Sequence, residues 1–566
     1  MAMYLQPSPP TGYAVPPNTP HSVCNSVPEW EDNVAFSLGK AGKILKETSY
    51  PRFNIHPHVK QLTVIIVGAL DTQQKCFLFP TRMLADECRT FVEVHFPSSS
   101  CDVHCVTEIA HAPPPHQVFA VLFSADAPKI MPFYTFHGGG ISTRLAELCI
   151  RRCAGDLRPT LGLPSGAGHT FSEYYNKYAP FASADDAKKV LRSRVSGTVD
   201  GGNIRGVPGV SPDDVYLFAS GMQTIWRSHK LLAGTIGSNC DPESRKVAHV
   251  NLLYCDSYKF LELTSSAGYH FFSNDTVDEL EALLATGTPE NPAIMALYTD
   301  FPGNPHLRSA DIARLRELAD RYNFPIIVDE TVAGYLNTQM LPYCDVVVSS
   351  LTKLFSGLGN VLGGAMLLNP SSPFYPEFKA HMEANYEDSY FDSDAIVMEM
   401  NSREFVERTR VVNHNAEKLS DMLYTRSVIG GFEGGVLQAV HYPKYRTREN
   451  FERCRNPLAA QAGLEAPGYG CLLSVTFKSL AAAKAFYSAL TCYKGTTLGT
   501  VYTLANAFTA LAYHPEKMQW LEDHGVEESL VRFSVGMEDT AALLKCVSDA
   551  LEVAENSHSV SPDTKN

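Results

Sequence analysis

The chain has 566 residues, 45% of them hydrophobic and 10% aromatic, with a formal net charge of −14. That length exceeds one core and implies roughly two to four domains, while the composition is that of a packed globular protein and excludes a disordered one. An acidic balance with no basic face argues against nucleic-acid or anionic-membrane partners, and the longest apolar runs, such as Leu62 to Leu70, are too short to span a bilayer.

Residues 1 to about 30 read as a loosely ordered Pro-rich lead without the charged start and apolar stretch of a signal peptide, so a cytoplasmic protein is expected. The 14 cysteines lack paired finger-like spacing, although Cys101 and Cys105, like Cys149 and Cys153, stand four apart. Reduced thiols and no metal are expected. Glu29 to Thr48 contains one helix, Gln61 to Leu70 and Gln117 to Phe123 read as strands, and Ile141 to Cys153 reads as a helix. His137–Gly138–Gly139–Gly140 is similar to the oxyanion loop of esterases, but no Gly-x-Ser-x-Gly elbow accompanies it, so a hydrolase is excluded.

Phe171 to Arg194 is expected to be helical, and the Gly-rich Gly197 to Pro212 marks a domain boundary. A strand–helix rhythm comes next. Strands are expected at Val215–Ala219, Lys246–Tyr254, Ala293–Tyr298, Phe324–Val328 and Val346–Ser349, with helices at Gly221–Ala233 and Val277–Leu284. A further helix capped by Ser309 carries Ile312, Leu315, Leu318 and Tyr322 on one face. This alternation predicts an α/β fold with a mostly parallel sheet and ligands at the carboxyl ends of its strands. Beyond residue 400, one long helix at Asn401–Leu423 leads into strands near Val436–Tyr442, Leu472–Phe477 and Leu530–Ser534. Helices at Ala481–Leu490 and Thr540–Ala554 accompany them, making a smaller α+β domain. Tyr442 to Gly470 reads as a long surface insertion. The expected division is therefore 1–200, an N-terminal extension and subunit-contact region; 205–395, the large domain; and 400–566, the small one.

The strand ends carry chemistry. Ser220–Gly221–Met222 opens a helix where free N–H groups and the helix dipole favour phosphate. Tyr254 could stack on a flat cofactor, Asn304 supplies an amide, Asp329 a carboxylate, and Ser350, Thr352 and Lys353 come after the fifth strand. A carboxylate for a pyridinium nitrogen, an amine for a Schiff base and a phosphate cup are the groups that pyridoxal phosphate requires. Singly, each has an ordinary explanation: Asp329 a strand-end cap, Tyr254 a core residue, Lys353 a solvated lysine.

Together with Pro28–Glu29–Trp30, Tyr50–Pro51–Arg52–Phe53, the run Ser349 to Gly357 and the run Val531 to Asp539, these motifs make the chain resemble the Cys/Met-metabolism family of fold type I pyridoxal-phosphate enzymes. Within that family it is most similar to fungal cystathionine γ-synthases. The resemblance implies Lys353 as Schiff-base lysine and proton shuttle, Asp329 on the ring nitrogen, and Tyr254 on the ring face and assisting proton transfer. It implies Gly221, Met222, Ser350 and Thr352 on the phosphate, Asn304 on the phenolic oxygen, and Arg532 with Thr497 on the substrate carboxylate. A tyrosine and an arginine from a neighbouring subunit also reach the phosphate in that family; the matching stretch here is Tyr175–Asn176–Lys177, with Lys177 in place of the arginine. Gly303, Glu330, Cys471 and Val501 are further departures, and the drift at Gly303, Val501 and Lys177 fits a paralogue with a new nucleophile.

The implied reaction is γ-replacement on O-acetyl-L-homoserine or another O-activated homoserine, through a vinylglycine ketimine, in a homodimer or homotetramer with shared sites. Cysteine as nucleophile would give cystathionine; an enolate or enamine would give a pipecolate-type imino acid. The residues leave both open, beside a third alternative, a catalytically silent paralogue.

Overall fold

A computed structural model describes residues 4–40, 45–46, 50–124, 126–155, 181, 183–199, 202–238, 246–264, 268–288, 290–513 and 518–559. The expectation of a loose lead is corrected at once. Val15, Cys24 and Val27 are fully buried, the Val23 N–H donates to Gly359 O at 2.8 Å, and the Val27 N–H donates to Lys494 O at 3.1 Å. The lead is tied by its backbone to distant parts of the chain. Its helix α1 (Trp30–Ala35) is shorter than expected, running into a wide turn at Phe36–Lys40 where Gly39 takes φ 69°.

A second α/β unit comes next. The expected strand at Gln61–Leu70 is instead helix α2 (Pro57–Ala69). A Val-Ile-Ile-Val run favours a strand, but Pro57 opens the helix, His56 caps it, and burial falls at Val59, Leu62 and Ile66 while Val64 is 71% exposed. Strands β1 (Lys75–Phe79), β2 (Cys101–Cys105) and β3 (Phe119–Phe123) form an antiparallel sheet in the order β1-β3-β2. Alternation divides its faces: Phe77 and Phe79 point toward the large domain, Cys76 and Leu78 toward α2 and the helix at Thr143–Cys153. The glycine run after His137 has a packing role. A Cβ on Gly138 would stand 2.4 Å from Ser220 Oγ, so the unit sits hard against the helix that begins at Gly221.

The large domain is a seven-stranded sheet. In chain order β4 and β5 (Thr198–Val199, Gly202–Asn203) form a separate small hairpin. The sheet then takes β6 (Val215–Phe218), β7 (Val247–Val250), β8 (Tyr269–Phe272), β9 (Ala296–Asp300), β10 (Ile326–Asp329), β11 (Val346–Ser349) and β12 (Gly364–Leu368) in the order β6-β12-β11-β10-β9-β7-β8. Within it only β12 runs antiparallel to its neighbours. The register sets Asp300 beside Asp329 and Asp329 beside Val348, so the chemistry-bearing strand ends share one edge. The helix expected after Ser309 is capped by Asp311, whose carboxylate accepts from the Arg314 N–H.

Three further expectations change. The long helix expected from Asn401 starts only at Phe405 and runs to Thr425, with a separate helix, Asp392–Ser402, before it. The buried guanidinium of Arg408 donates to Asn401 O at 2.7 Å and to the Leu354 and Phe355 carbonyls, occupying a carbonyl that a continuous helix would use. Lys246–Tyr254 is strand only to Val250. Residues 442–470 are no loose insertion: Phe451, Cys454, Ala459 and Leu464 are buried, and the Gln339 N–H donates to Cys454 O at 2.8 Å. The sheet here, β13 (Leu437–His441), β14 (Leu472–Phe477), β15 (Tyr493–Lys494), β16 (Leu504–Asn506) and β17 (Val531–Ser534), is ordered β13-β14-β17-β16-β15. Among the described residues no helix is long and apolar enough to cross a membrane.

One buried pair fixes the β10 end. Arg205 Nη1 meets both Glu330 carboxylate oxygens at 2.7 and 2.8 Å, its Nε donates to Val195 O, and its guanidinium lies 4.2 Å from the Tyr335 ring centroid. Replacing one partner strands the other charge in the core. Arg205→Met is expected to lower the unfolding free energy in urea by about 3–5 kcal/mol, and Arg205→Met with Glu330→Leu to recover most of that loss. A single variant as stable as wild type would contradict the assignment.

Candidate active site

A cavity of about 240 Å³ opens at the carboxyl edge of the large sheet. Gly221, Met222, Tyr254, Asn304, Asp329, Ser350, Lys353, Thr497 and Arg532 all line it. Nine of the sequence-derived residues thus converge from five strand ends and from the small domain. Thr352 does not: it is buried, its Oγ1 donating to Gly363 O at 3.2 Å and accepting from the Gly363 N–H at 3.0 Å, which holds the loop behind the lysine. Tyr175 and Lys177 lie outside the described residues.

The anion end is built from backbone. Ser220 Oγ caps the helix Gly221–Gly234 by accepting from the Gln223 N–H at 3.1 Å. This leaves the N–H groups of Gly221 and Met222 without a protein partner among the described residues. A Cβ on Gly221 would meet Ser350 Cβ at 2.7 Å, so glycine is what lets the helix end approach that hydroxyl.

Lys353 is half-buried, and its Nζ donates to Thr497 Oγ1 at 2.9 Å. Burial, with Arg52 and Arg532 nearby, holds its amine below the usual lysine range, partly offset by Tyr50. Gly499 lies against the lysine backbone: a Cβ there would stand 2.4 Å from the Leu354 nitrogen. Burial lifts Asp329 to about 6, although the Thr331 N–H donates to its Oδ1 at 2.8 Å. Asp300, its register neighbour, is pushed further up by burial and by the charge of Asp329, and accepts from the Tyr254 N–H at 2.7 Å.

Arg532 is the cavity's unusual cation. Its Nη1 donates to Asn304 Oδ1 at 3.2 Å and its guanidinium lies 4.1 Å from the Phe508 ring centroid. Burial lowers it to about 10. No carboxylate pairs with it among the described residues. A buried fork donor without an acid is poised for an incoming carboxylate.

Two residues from the segment just before α2, Tyr50 and Arg52, enter the same cavity. Arg52 donates to Asp256 Oδ2 through both Nη1 and Nη2 at 3.2 Å, to Tyr254 Oη at 2.9 Å, and to Thr135 O at 2.7 Å. Burial alone would raise the Tyr50 phenol, but the charges of Lys353 and Arg52 pull it below its usual value, and Lys353 Nζ lies 5.0 Å from its ring centroid. Tyr254 goes the other way: burial and Asp256, to which its hydroxyl donates at 3.0 Å, keep it well above. In the sequence Tyr50 and Arg52 served only as a family marker, and Asp256 and Asp300 carried no signal that singled them out. The register of adjacent strand ends could have found Asp300; no local pattern points to the other three. The flagged departures face elsewhere. Glu330 turns to Arg205, Val501 packs on Val15 and Cys24, and a Cβ on Gly303 would stand 2.7 Å from Leu252 O.

Comparison with known proteins agrees with this geometry. Residues 211–552 match the family described as Cys/Met metabolism PLP-dependent enzyme, and residues 58–142 match the fungal trans-sulfuration enzyme N-terminal domain. The chain is 37% identical to the cystathionine gamma-synthase-like enzyme iboG1 of Amanita muscaria, across 96% of this chain and 98% of that protein. It is 31% identical to the cystathionine gamma-synthase of Neurospora crassa, across 96% and 98%. Among solved structures, the cystathionine gamma-lyase of Lactobacillus plantarum complexed with L-serine superposes with a TM-score of 0.51 at 18% identity, across 63% of this chain and 87% of that one. That last likeness speaks for the fold.

The residues present fit pyridoxal phosphate. Two unpartnered helix N–H groups and Ser350 offer a phosphate seat, Asp329 a carboxylate whose raised value a cationic ring nitrogen would relieve, and Lys353 an amine with no paired acid among the described residues. The cost of Asp329 is testable without cofactor. A carboxyl raised in the folded state costs nothing below its ordinary value of 3.8, and the penalty builds as pH climbs from there to about 6 and is full above it. Cofactor-free Asp329→Asn is therefore expected to be more stable than wild type at pH 8, the gain vanishing toward pH 4, while its cofactor affinity falls. Equal stability at both pH values in urea titrations would contradict this.

Proposed function

This chain belongs to the Cys/Met-metabolism family of pyridoxal-phosphate-dependent enzymes, and from that premise we propose that it catalyses γ-replacement on O-acetyl-L-homoserine or another O-activated homoserine. The observation that carries the reading is the unpaired, buried Arg532 in the same cavity as Lys353. An amino acid held there by its α-carboxylate reaches the lysine with its side chain directed into the rest of the cavity. Bound pyridoxal phosphate would supply an electron sink for negative charge at the substrate's α-carbon. Lys353, held below the usual amine range, removes the α-proton and moves protons between the α- and β-carbons. Thr497 orients its Nζ. Tyr50, beside that amine and lowered in pKa, serves as its proton partner, while Tyr254 stays protonated and donates to Asp256. The γ-carbon–oxygen bond breaks, acetate or its equivalent leaves, and the nucleophile's bond forms at the γ-carbon. Asn304, Ser350, Gly221 and Met222 hold the cofactor on this reading, and the assembly that goes with it is a homodimer or homotetramer.

Cysteine is the first nucleophile, giving cystathionine. A second reading has its own observation: Phe36, Phe53, Phe508 and Leu511 give the cavity an apolar wall. Arg52, the other arginine there, is already paired with Asp256, so a second amino-acid carboxylate finds less to bind. That wall suits an enolate or enamine, which would form a carbon–carbon bond and a pipecolate-type imino acid.

Purified protein with pyridoxal phosphate and O-acetyl-L-homoserine is to be incubated with cysteine or with small aldehydes and β-keto acids, and the products identified by mass spectrometry. Cystathionine supports the first reading and a new imino acid the second; absence of any γ-substituted product from every nucleophile would contradict both. Arg532→Lys is expected to raise the amino-acid KM roughly ten- to a hundredfold, as loss of a charged hydrogen bond of about 1.5–3 kcal/mol implies. An unchanged KM would remove Arg532 from the carboxylate site.

A further inference from the structure

Three histidines meet outside the lining of that cavity, where nothing in the catalytic reading uses them. His21 comes from the lead; His56 and His58 come from the segment that has just delivered Tyr50 and Arg52. One ring nitrogen from each lies within 4.8 Å of the others. The ring centroids stand 4.9 to 5.9 Å apart. We propose that His21, His56 and His58, joined by Glu147, form a binding site for a first-row divalent cation, with zinc the best fit.

The donor set points to the metal. Three imidazoles and a carboxylate suit zinc and disfavour calcium or magnesium, which take oxygen ligands. His21 Nε2 stands 3.0 Å from Glu147 Oε2, close to the separation of roughly 3.3 Å that two ligand atoms keep around a tetrahedral ion with bonds of about 2.0–2.1 Å. The surroundings agree. His21 and His56 are each only 3% exposed. Thr143 Oγ1 meets His21 Nδ1 at 2.8 Å and can hold that ring in the tautomer that leaves Nε2 free. His58 Nδ1 is buried with no hydrogen-bond partner among the described residues. His56 Nδ1 accepts from the His58 N–H at 3.2 Å, a cap that a metal bound through that nitrogen would displace. Of the positive groups nearby, Arg144 is spent on Asp394 at 2.9 Å and on Asn360 O at 2.8 Å, and Lys60 lies one helical turn beyond His56.

Position gives the site a purpose. A cation here would clip together three separate segments, the lead, the start of α2 and the helix carrying Glu147, only four residues downstream of Arg52. A second histidine group, His306, His441 and Glu527, is equally close-set, but Arg308 and Arg446 face His441 and oppose a cation there. The cysteine pairs that the sequence offered as metal candidates take no part. The ligands are histidines from separate segments, which spacing alone does not reveal.

The test uses the full-length, cofactor-loaded protein, stripped with a chelator and titrated with zinc chloride against a chromophoric competitor, with metal content measured by mass spectrometry. One zinc per chain is expected, together with a rise in Tm on zinc addition. His58→Gln, at a half-buried position that folding tolerates, and His21→Gln are expected to weaken zinc binding at least roughly tenfold and to abolish the Tm rise; His306→Gln is expected to change neither. No zinc uptake by wild type, uptake unchanged in both His58→Gln and His21→Gln, or uptake lost in His306→Gln would each overturn the proposal, leaving the trio a hydrogen-bonded histidine cluster.

Discussion

Two cations held out of water without a paired carboxylate among the described residues, Lys353 and Arg532, are the constraint on which the rest of this structure depends. Burying such groups unpaired is costly. Three other buried arginines are paired with acids: Arg205 with Glu330, Arg144 with Asp394 and, in the cavity itself, Arg52 with Asp256. The contrast separates structural ion pairs from functional vacancies. An arginine that sits on Phe508 and Asn304 is waiting for an anion; an arginine locked by both oxygens of a buried glutamate is not.

The scaffold maintains this imbalance through backbone. Parallel register carries Asp300, Asp329 and the approach to Lys353 to one sheet edge, and close contacts at Gly221, Gly357 and Gly499 leave no room for a side chain there. Gly357, at φ 74°, would put a Cβ 2.3 Å from Arg408, the residue whose guanidinium gathers the carbonyls just after the lysine. The lead and the segment just before α2 close the arrangement. Through Tyr50 and Arg52 that segment sets the proton affinity of Lys353 from a distant point in the chain, and the lead's buried backbone bonds to Gly359 and Lys494 explain why it is ordered despite its prolines.

Much of the site was legible because buried parallel strands advertise themselves. Ile326 to Asp329 and Val346 to Ser349 are apolar β-branched runs that stop at a polar residue, and the residues just after each run must lie at the strand's carboxyl end. Arg532 and Thr497 were legible only through a family likeness, since nothing local to them marks a binding site. The misreadings share a cause: tertiary packing overrode local preference. The β-branched run in α2 became a helix because Val59, Leu62 and Ile66 had a core to enter, and the helix expected from Asn401 starts only at Phe405 because Arg408 claims the Asn401 carbonyl. Of the drift that suggested a new nucleophile, Gly303 is absorbed by backbone packing and Val501 by the lead, while Lys177 lies outside the described residues. The apolar wall was missed because Phe36 and Phe53 belong to a segment that the sequence pattern did not place near the site.

In the proposed reaction Lys353, beside Tyr50, moves the substrate's α-proton while Arg532 holds the carboxylate. The most direct test is exchange of the α-hydrogen of L-norvaline, which has no γ-leaving group, in deuterated water, followed by proton NMR with pyridoxal-phosphate-loaded enzyme. Exchange is expected from wild type, with a loss of roughly 10²–10⁴-fold in Lys353→Ala and norvaline still bound through Arg532. Exchange at the wild-type rate in Lys353→Ala would contradict it.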